Sequence, residues 1–439
     1  MMPTPFSILV FYAGSSSLKF ALFEVLATGF IKPVIRGAVS DIGGVPALDW
    51  SDGTAYGSTP ILVHSQQEAT DCVLDWLQNL WPFGSLLERV TVVAHRIVHG
   101  GVHFSSPIIV TDKVMAQLDQ LTPLAPLHNP QAMAVMRESQ NVFSNKIFLS
   151  DKPACKVMTV AVFDTAFFSH LPQYTDYALP ESLLKQHHIQ RFGFHGFAHR
   201  YMVQRYCALR PDHAQQHRVI SFQLGSGCSV TASQNGQPVD TSMGFTPLEG
   251  LVMATRAGDI DPGLLIYLLK HGHLLDDLED KLQHQSGLLG IAKTTGDMLS
   301  LLDLQGTDED AKLAVDMFCY RARKYLGAYM AVLGRVDAVI FGGGIGEHSH
   351  EIRQRICANM DWCGMQLDEQ RNQLADQSSN SLAYGTEMLI SADTSKISVY
   401  VIAVNEELVI AEDARAEAMH YQSGVINVVF SDYKQHGAY

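Results

Sequence analysis

A strand, a turn of small residues and a second strand occur near the N-terminal end of the chain and again near its middle. The first copy has apolar stretches at Ile8 to Tyr12 and Leu18 to Val25, joined by Gly14 to Ser17. The second copy has Val219 to Leu224 and Ser229 to Ser233, joined by a Gly-Ser-Gly turn. Glycine and serine between such stretches are typical of tight turns between strands. A repeated unit of this kind indicates a fold built from two related halves.

Each half continues with an apolar strand that ends near glycines. Val90 to Ala94 precedes Gly100-Gly101, and Asp337 to Phe341 precedes the glycines of 342–346. Helical patterns alternate with the strands at Gln66 to Trp81, from Asp261-Pro262 onward and at Asp310 to Leu333. Strands that alternate with helices predict an α/β fold.

The longest helical pattern, Asp310 to Leu333, carries its own start signal. Thr307 and Asp310 have the spacing of a capping box. The apolar residues near helical spacing predict one apolar face of this helix, formed by Leu313, Met317, Tyr320 and Leu326. One further strand-like stretch, Val425 to Phe430, lies near the C-terminus.

Charge and cysteine content exclude several classes of protein. The 439 residues include 31 Lys and Arg against 45 Asp and Glu, a net charge of −14, and no basic run that could follow a phosphate backbone. Nucleic acid is therefore not an expected partner. Seven cysteines form no Cys-x-x-Cys pair, which favours reduced thiols and the cytoplasm. No membrane association is expected, because no apolar stretch approaches the ~20 residues that span a bilayer and the N-terminus lacks the positive flank of a secretion signal.

The turn between the first two strands has the residues of a phosphate site. Ser15, Ser17 and Lys19 place hydroxyls and an ammonium beside the backbone amides of a small-residue turn. The spacing is not that of a Walker A loop, and a strand follows instead of a helix. The matching turn of Gly225 to Ser229 and the glycines of 342–346 extend the prediction to a nucleotide.

Two arginines and two histidines are candidates for binding a carboxylate or a phosphoryl group. Arg96 follows the strand that ends at Ala94, and Arg256 stands among small residues where a guanidinium has no packing role. His195 lies between glycines, and His128 lies in a loop made rigid by prolines. The spacing of His195 and His199 also permits a zinc site, but the glutamate of a His-Glu-x-x-His site is absent.

Two carboxylates follow predicted strands. Asp164 ends the strand that starts at Thr159, and Glu406 follows the strand of Ser398 to Val404. Carboxylates at the C-terminal ends of parallel strands suit Mg²⁺, which binds one or two carboxylates together with water and phosphate oxygens. Mn²⁺ is the expected substitute.

These motifs together resemble the acetate kinase family of short-chain carboxylate kinases, within the sugar kinase, Hsp70 and actin superfamily. The resemblance covers nearly the whole chain, and its motifs occur in family order. They are Gly14 to Lys19, His95 to Gly101, Leu124 to Pro130, Phe163 to Phe167, Gly193 to Gly196, Asp240 to Pro262, Gly343 to Glu347 and Asn405 to Leu408.

The resemblance implies a fold of duplicated ribonuclease H-like domains flanking a cleft. Residues 1–165, completed by 404–439, would form the N-terminal domain, and 166–403 the nucleotide-binding C-terminal domain. It also implies a homodimer and Mg²⁺-dependent phosphoryl transfer from ATP to acetate, giving acetyl phosphate and ADP. Propionate kinase is the nearest alternative.

The resemblance also assigns roles to individual residues. Arg96 and Arg256 would hold the carboxylate and the transferring phosphoryl group, with His195 stabilising the transition state and His128 supporting the same site. The acetate methyl group would bind among Val98, Leu127, Phe194 and Pro247. The nucleotide would bind among Ser15, Ser17, Lys19, Gln223, Gly225, Ser226, Gly227, Gly344, Ile345, Gly346 and His348, and the metal among Asp164, Glu406 and the family position occupied by Tyr12.

The chain departs from the family pattern mainly on the nucleotide and metal side. Tyr12, Ser226 and His348 stand where the family usually has Asn, Gln223 where it has His, and Ala403-Val404 where it has Pro-Thr. These departures leave open two further interpretations, a catalytically weakened nucleotide-binding or regulatory protein and a kinase that uses another donor such as pyrophosphate.

Overall fold

A computed structural model of the chain describes residues 6–80, 87–126, 128–146, 157–213, 216–378 and 387–424. The predictions made for Trp81, Leu127 and Val425 to Phe430 fall outside these residues. The chain divides into two compact units. The first comprises the residues up to Ile97, Ser106–Val162 and those from Ile410 onward, and the second comprises Val98–Ser105 and Phe163–Val409.

The first unit is built on an eight-stranded sheet in the order β5-β4-β3-β2-β1-β6-β8-β7. Strands β1 to β5 form antiparallel pairs with their sequence neighbours, and β6 pairs parallel to β1. The strands are β1 (Phe6–Ala13), β2 (Leu18–Val25), β3 (Ile31–Ser40), β4 (Ala47–Ser51), β5 (Tyr56–Pro60), β6 (Val90–Ile97), β7 (Ile108–Ile109) and β8 (Met158–Phe163).

The second unit contains a six-stranded sheet in the order β11-β10-β9-β12-β14-β13. Strands β9, β10 and β11 pair antiparallel, whereas β12 pairs parallel to both β9 and β14. The strands are β9 (Arg218–Leu224), β10 (Cys228–Gln234), β11 (Gln237–Thr241), β12 (Ala338–Gly342), β13 (Glu387–Leu389) and β14 (Ser398–Ile402).

Helices pack against both sheets. In the first unit they are α1 (Gln66–Asn79), α2 (Asp112–Asp119) and α3 (Asn129–Lys146). In the second unit they are α4 (Glu181–His187), α5 (Gly196–Leu209), α6 (Pro262–Lys270), α7 (Leu275–His284), α8 (Gly287–Ala292), α9 (Met298–Leu304), α10 (Glu309–Leu333), α11 (Gly343–His348), α12 (His350–Cys357) and α13 (Glu369–Ser378). Helix α14 (Glu406–Gln422) starts in the second unit and continues into the first. Short 3₁₀ helices occur at Thr122–Leu124, Asp164–Phe168, Gln173–Thr175, Pro211–His213 and Asp361–Cys363.

The two sheets share one strand order. Each sheet contains three antiparallel strands, β3-β2-β1 in one and β11-β10-β9 in the other. The next strand in each sheet is parallel to its neighbour: β6 is parallel to β1, and β12 is parallel to β9. The inner strands β6 and β12 are buried along their whole length, as is typical of parallel strands that are covered on both faces. This shared order confirms the predicted duplication of an α/β unit.

The long helix differs from its prediction in two respects. It begins at Glu309 and its cap is Asp308, whose carboxylate accepts hydrogen bonds from the backbone amides of Asp310 and Ala311. The predicted capping box with Thr307 is therefore wrong. Three of the four predicted apolar positions, Leu313, Met317 and Tyr320, are exposed, and the helix buries Ala314, Val315, Phe318 and Ala322 beside Leu326. Small residues on the buried face let the helix lie close to the sheet, which apolar spacing alone did not reveal.

No helix among the described residues combines the length and the apolar character that crossing a bilayer requires.

Candidate active site

The turn between β1 and β2 is held from within the first unit. Its Gly14 amide donates to the carbonyl of Ser17 at 2.8 Å, and the buried Gln66 donates through Nε2 to the carbonyls of Gly14 and Ser17 at 3.1 and 3.2 Å. A Cβ at Gly14 would lie 2.6 Å from the Ser17 hydroxyl. Ser15 and Lys19 are exposed, so the tight turn presents a hydroxyl and an ammonium to solvent. Sequence analysis missed Gln66, because its contact depends on the packing of α1 against β2.

Arg96 lies within strand β6 and not beyond it, because β6 continues to Ile97. Side chains alternate along a strand, and this alternation separates Arg96 from His95. The His95 ring stacks with Phe11 and bonds through Nε2 to Ser139 at 3.1 Å. Tyr12 and Arg96 are the next residues along β1 and β6 after Phe11 and His95. The Arg96 guanidinium carbon lies 4.1 Å from the centre of the Tyr12 ring.

Tyr12 also contacts a second cation. It pairs with Lys19 across the β1–β2 hairpin, and the Lys19 ammonium lies 5.2 Å from the centre of its ring. Both distances are within the range of a cation–π interaction. The residue at the predicted metal position therefore has an aromatic face directed at two positive charges.

His128 lies immediately before α3, and its backbone carbonyl accepts from Ala132 at 3.1 Å. The adjacent Leu127, predicted to contact the methyl group of the substrate, is outside the described residues.

In the second unit, Asp164 is fully buried at the end of β8, where a 3₁₀ helix begins. Its carboxylate accepts hydrogen bonds from the backbone amides of His195, at 3.0 Å, and Phe197, at 3.3 Å. A Cβ at Gly196 would lie 2.0 Å from the Asp164 carbonyl, so glycine is required for this close approach. Asp164 thus fixes the start of α5, the helix that carries His195 at its cap.

His195 adopts a left-handed backbone conformation with φ of 58°, which is uncommon for a residue with a side chain and is concentrated at functional sites. Its Nδ1 lies 2.8 Å from the Ser229 hydroxyl. The same hydroxyl lies 2.7 Å from Nε2 of His199, and Nδ1 of His199 lies 2.8 Å from the hydroxyl of Ser221. Both ring nitrogens of His199 are therefore used by serines of β9 and β10, in place of the zinc that its spacing also permitted.

Burial keeps several histidines uncharged. It lowers the pKa of His199 to about 3, that of His95 to about 3 and that of His99 to about 4, because a charged imidazole loses its hydration when it is buried.

Arg256 and His195 approach the same backbone position in the β9–β10 turn. The Cβ position of Gly227 would be 3.4 Å from His195 Nε2 and 3.7 Å from a terminal nitrogen of Arg256. The guanidinium donates to the Pro247 carbonyl at 3.3 Å. Burial lowers the pKa of Arg256, but an arginine retains its charge in proteins. A cation and an imidazole nitrogen thus face one glycine turn.

An aromatic cluster adjoins these residues in the second unit. The His99 ring lies 4.3 Å from that of Phe192 and 5.7 Å from that of Phe194. Phe194 and the predicted pocket residue Val98 are buried, and Pro247 is half-buried.

A cavity of about 900 Å³ lies in the second unit beside the β9–β10 turn. Five predicted nucleotide residues line it, namely Gly225, Ser226, Gly344, Ile345 and His348. The lining does not include the predicted Gln223, Gly227 or Gly346. A cavity of this size with apolar walls and a few polar groups is typical of a small-molecule site.

Helix α9 and its neighbours supply lining residues that sequence analysis missed. They are Asp297, Met298, Leu299, Leu302, His350, Glu351 and Asp376. Two of them are paired, since Nδ1 of His350 lies 2.6 Å from the carboxylate of Asp376. No sequence signal connects these residues, since they come from separate helices.

Glu406 starts helix α14, shortly after β14 ends at Ile402. Among the described residues, no three His, Cys, Asp or Glu side chains form a metal cage. Mg²⁺ that accompanies a nucleotide binds one or two carboxylates and otherwise uses water and phosphate oxygens. Asp164, whose two carboxylate oxygens accept hydrogen bonds from backbone amides, and Glu406, at the start of α14, are the carboxylates predicted for such a site.

Comparisons with known proteins identify the family of the chain. The acetokinase family pattern matches residues 7–412. Acetate kinases of Chloroherpeton thalassium and Solibacter usitatus are 42% and 41% identical to the chain, each over 93% of it and over 98% and 97% of their own lengths.

Two crystal structures are also similar. Porphyromonas gingivalis acetate kinase has a TM-score of 0.78 and 33% identity, covering 94% of this chain and 99% of its own. A propionate kinase from Francisella tularensis has a TM-score of 0.80 and 33% identity, covering 93% and 98%. The predicted family and superfamily fold are thereby confirmed, and the chain belongs to the acetokinase family.

Proposed function

We propose that the protein is an acetate kinase, which transfers the γ-phosphoryl group of ATP reversibly to acetate and forms acetyl phosphate and ADP. One observation carries the proposal. In the second unit, His195 Nε2 and the Arg256 guanidinium face Gly227, and the same turn contributes Gly225 and Ser226 to the cavity of about 900 Å³. Hydrogen-bond donors therefore lie beside a space of a size that can hold a nucleotide, and the proposal assigns them to its phosphates.

The proposed reaction does not require a pair of nucleophile and base. A carboxylate with a pKa near 4 to 5 is ionised at neutral pH and attacks phosphorus without a general base. The main requirement is to stabilise negative charge on the equatorial oxygens as the phosphoryl group moves in line. Donors with fixed positions meet this requirement.

The predicted catalytic and metal-binding residues and those of the first turn have the following roles in this proposal. Arg96 and Arg256 bind the acetate carboxylate and the transferring phosphoryl group, His195 donates to that group in the transition state, and His128 supports it. Ser15, Ser17 and Lys19 bind phosphate oxygens. Asp164 and Glu406 would hold Mg²⁺, which neutralises phosphate charge when it is bound. Tyr12 acts through its ring on Arg96, which its contacts favour over a metal-binding role.

Propionate is a second candidate substrate, since a structure that resembles the chain is that of a propionate kinase. The proposed methyl pocket includes the buried Val98 and Phe194. One methylene in such a pocket changes the transition-state free energy by only about 1–3 kcal/mol, so both acids should react.

Trapping of the acyl phosphate with hydroxylamine tests the proposal. The protein is assayed with ATP, GTP and pyrophosphate against acetate, propionate and butyrate. We expect the highest kcat/KM with ATP and acetate, and a requirement for Mg²⁺ or Mn²⁺. Product with pyrophosphate alone would identify a different donor, and no product with any pair would favour the weakened regulatory homologue.

We further propose a homodimer formed through α6. No residue of this helix is buried, although Leu264, Ile266, Tyr267 and Leu269 are large, apolar and 43–57% exposed. Apolar side chains exposed along a whole helix are typical of a protein interface.

Reduced cysteines support a cytoplasmic location. The six cysteines of the described chain are all free, as expected in a reducing compartment.

A further inference from the structure

A chain of hydroxyls and imidazoles connects His195 to the interior of the second unit. It consists of Ser221, His199, Ser229 and His195, and its three contacts measure 2.8, 2.7 and 2.8 Å. Ser221, His199 and Ser229 are fully buried. We call these four residues the hydroxyl–imidazole relay.

The number of protons restricts the direction of the relay. Ser229 has one hydroxyl hydrogen and lies between two ring nitrogens, so it donates to one of them and accepts from the other. A proton is therefore present on only one of the two facing nitrogens, His195 Nδ1 or His199 Nε2. His199 is uncharged and carries a single proton, so a proton on either of its nitrogens leaves the other as an acceptor.

Ser221 decides between the two directions. Its hydroxyl makes no hydrogen bond with the described residues other than that to His199 Nδ1. If His199 donated to Ser221, the Ser221 hydrogen would be buried without an acceptor, which costs free energy. If Ser221 donates to His199 Nδ1, then His199 Nε2 donates to Ser229 and Ser229 donates to His195 Nδ1. The protons of Ser221, His199 and Ser229 then each have an acceptor within the relay.

We propose that the relay holds His195 as the neutral tautomer that carries its proton on Nε2, the nitrogen facing Gly227. Ser229, His199 and Ser221 are thus positioning residues for the phosphoryl donor. This inference rests on the proposed function, and it explains how His195 is held with its proton on the nitrogen that donates to the phosphoryl group.

The tautomer suits the surroundings of His195. Its Nε2 and the Arg256 guanidinium face the same glycine, so the proton that the relay leaves on Nε2 lies beside a second hydrogen-bond donor. A tautomer with its proton on Nε2 can donate from this position. The donor is therefore ready before substrate binds, as a preorganised site requires.

Nitrogen NMR of the intact protein with ¹⁵N-labelled histidine tests the tautomer directly. The ¹⁵N shifts of protonated and unprotonated ring nitrogens are well separated, and the variant His195→Gln identifies the His195 signals among those of 19 histidines. At neutral pH we expect Nδ1 unprotonated and Nε2 protonated. A proton on Nδ1, with or without one on Nε2, would overturn the proposal.

A kinetic comparison tests the positioning role. Ser229→Ala should lower kcat about 10- to 100-fold, less than the ~10²–10³-fold typical when a transition-state donor is itself removed, with KM values changed less than threefold. Ser233→Ala is the matched control, because Ser233 is also buried on β10 and its hydroxyl has no hydrogen-bond partner among the described residues. It should leave kcat unchanged. Ser229→Thr, which keeps the hydroxyl, should restore part of the rate.

The outcomes separate the two proposals. Equal kcat for Ser229→Ala and Ser233→Ala, in a protein whose acetate kinase activity is confirmed, would refute the relay and leave the function intact. A protein without acyl phosphate activity would refute the proposed function, while the NMR measurement would still decide the tautomer.

Discussion

Replacing Tyr12 removes the aromatic face against which Arg96 lies. The guanidinium carbon is 4.1 Å from the ring centre, and Arg96 is only 7% exposed. The variant Tyr12→Leu retains an apolar side chain, although a shorter one, and has no π system. Tyr12→Phe retains the ring and is the matched control.

The burial of Arg96 sets the expected magnitude. A cation–π pair contributes about 0.5–1 kcal/mol when exposed and about 2 kcal/mol or more when desolvated. For a buried cation against a half-buried ring, we take about 1–2 kcal/mol. Because about 1.4 kcal/mol corresponds to a factor of ten, an Arg96 that loses its orientation should reduce kcat/KM for acetate about 5- to 30-fold.

Steady-state kinetics with acetate and with ATP varied separately test this reasoning. The loss should fall mainly on KM for acetate, because Arg96 is proposed to bind the carboxylate. Tyr12→Phe should stay within about threefold of the unmodified protein, since a phenyl ring also binds cations. Equal losses in Tyr12→Leu and Tyr12→Phe would show that the hydroxyl matters and not the ring. An unchanged kcat/KM in Tyr12→Leu would refute the positioning role altogether.

Other predictions follow from the second unit and from the buried histidines. Arg256→Ala should lower kcat about 10²–10³-fold with little change in the thermal midpoint; near-normal turnover would exclude its role at the phosphoryl group. Burial holds the pKa values of His95, His99 and His199 at about 3 to about 4 in the native state, whereas the unfolded chain takes up protons at these residues below about pH 6.5. The free energy of unfolding should therefore be highest above pH 6.5 and should decrease as the pH falls, by about 2 kcal/mol for each of these histidines at pH 5. Urea unfolding at pH 7 and at pH 5 measures this decrease. Equal urea midpoints at the two pH values would contradict it. The double variant Ile266→Glu, Tyr267→Glu should elute as a monomer in size-exclusion chromatography with light scattering, and a dimer of unchanged mass would exclude α6 as the interface.

Local sequence patterns were sufficient for much of the fold. The strands around Gly14 and around Gly225 occur as predicted, because alternation, β-branched residues and small-residue turns act over a few neighbouring residues. The start of α6 at Asp261-Pro262 was also predicted, since a capping carboxylate and a first-turn proline need no distant partner. The cap of α10 was misplaced by one residue, because Asp308 and Thr307 are both suitable caps and only the backbone conformation selects one.

Motif order was sufficient for the family and for the identity of many site residues, but not for their partners. The sequence contains Ser229 and His199 thirty positions apart, and only the pairing of β9 with β10 and the packing of α5 against β9 bring them together. The same holds for Tyr12 and Arg96, which become neighbours through the parallel pairing of β1 with β6. Types of side chain are a property of the sequence, whereas hydrogen-bond direction, tautomer and cation–π contact depend on distances of a few ångström between residues far apart in the chain. Tertiary structure alone determines those distances.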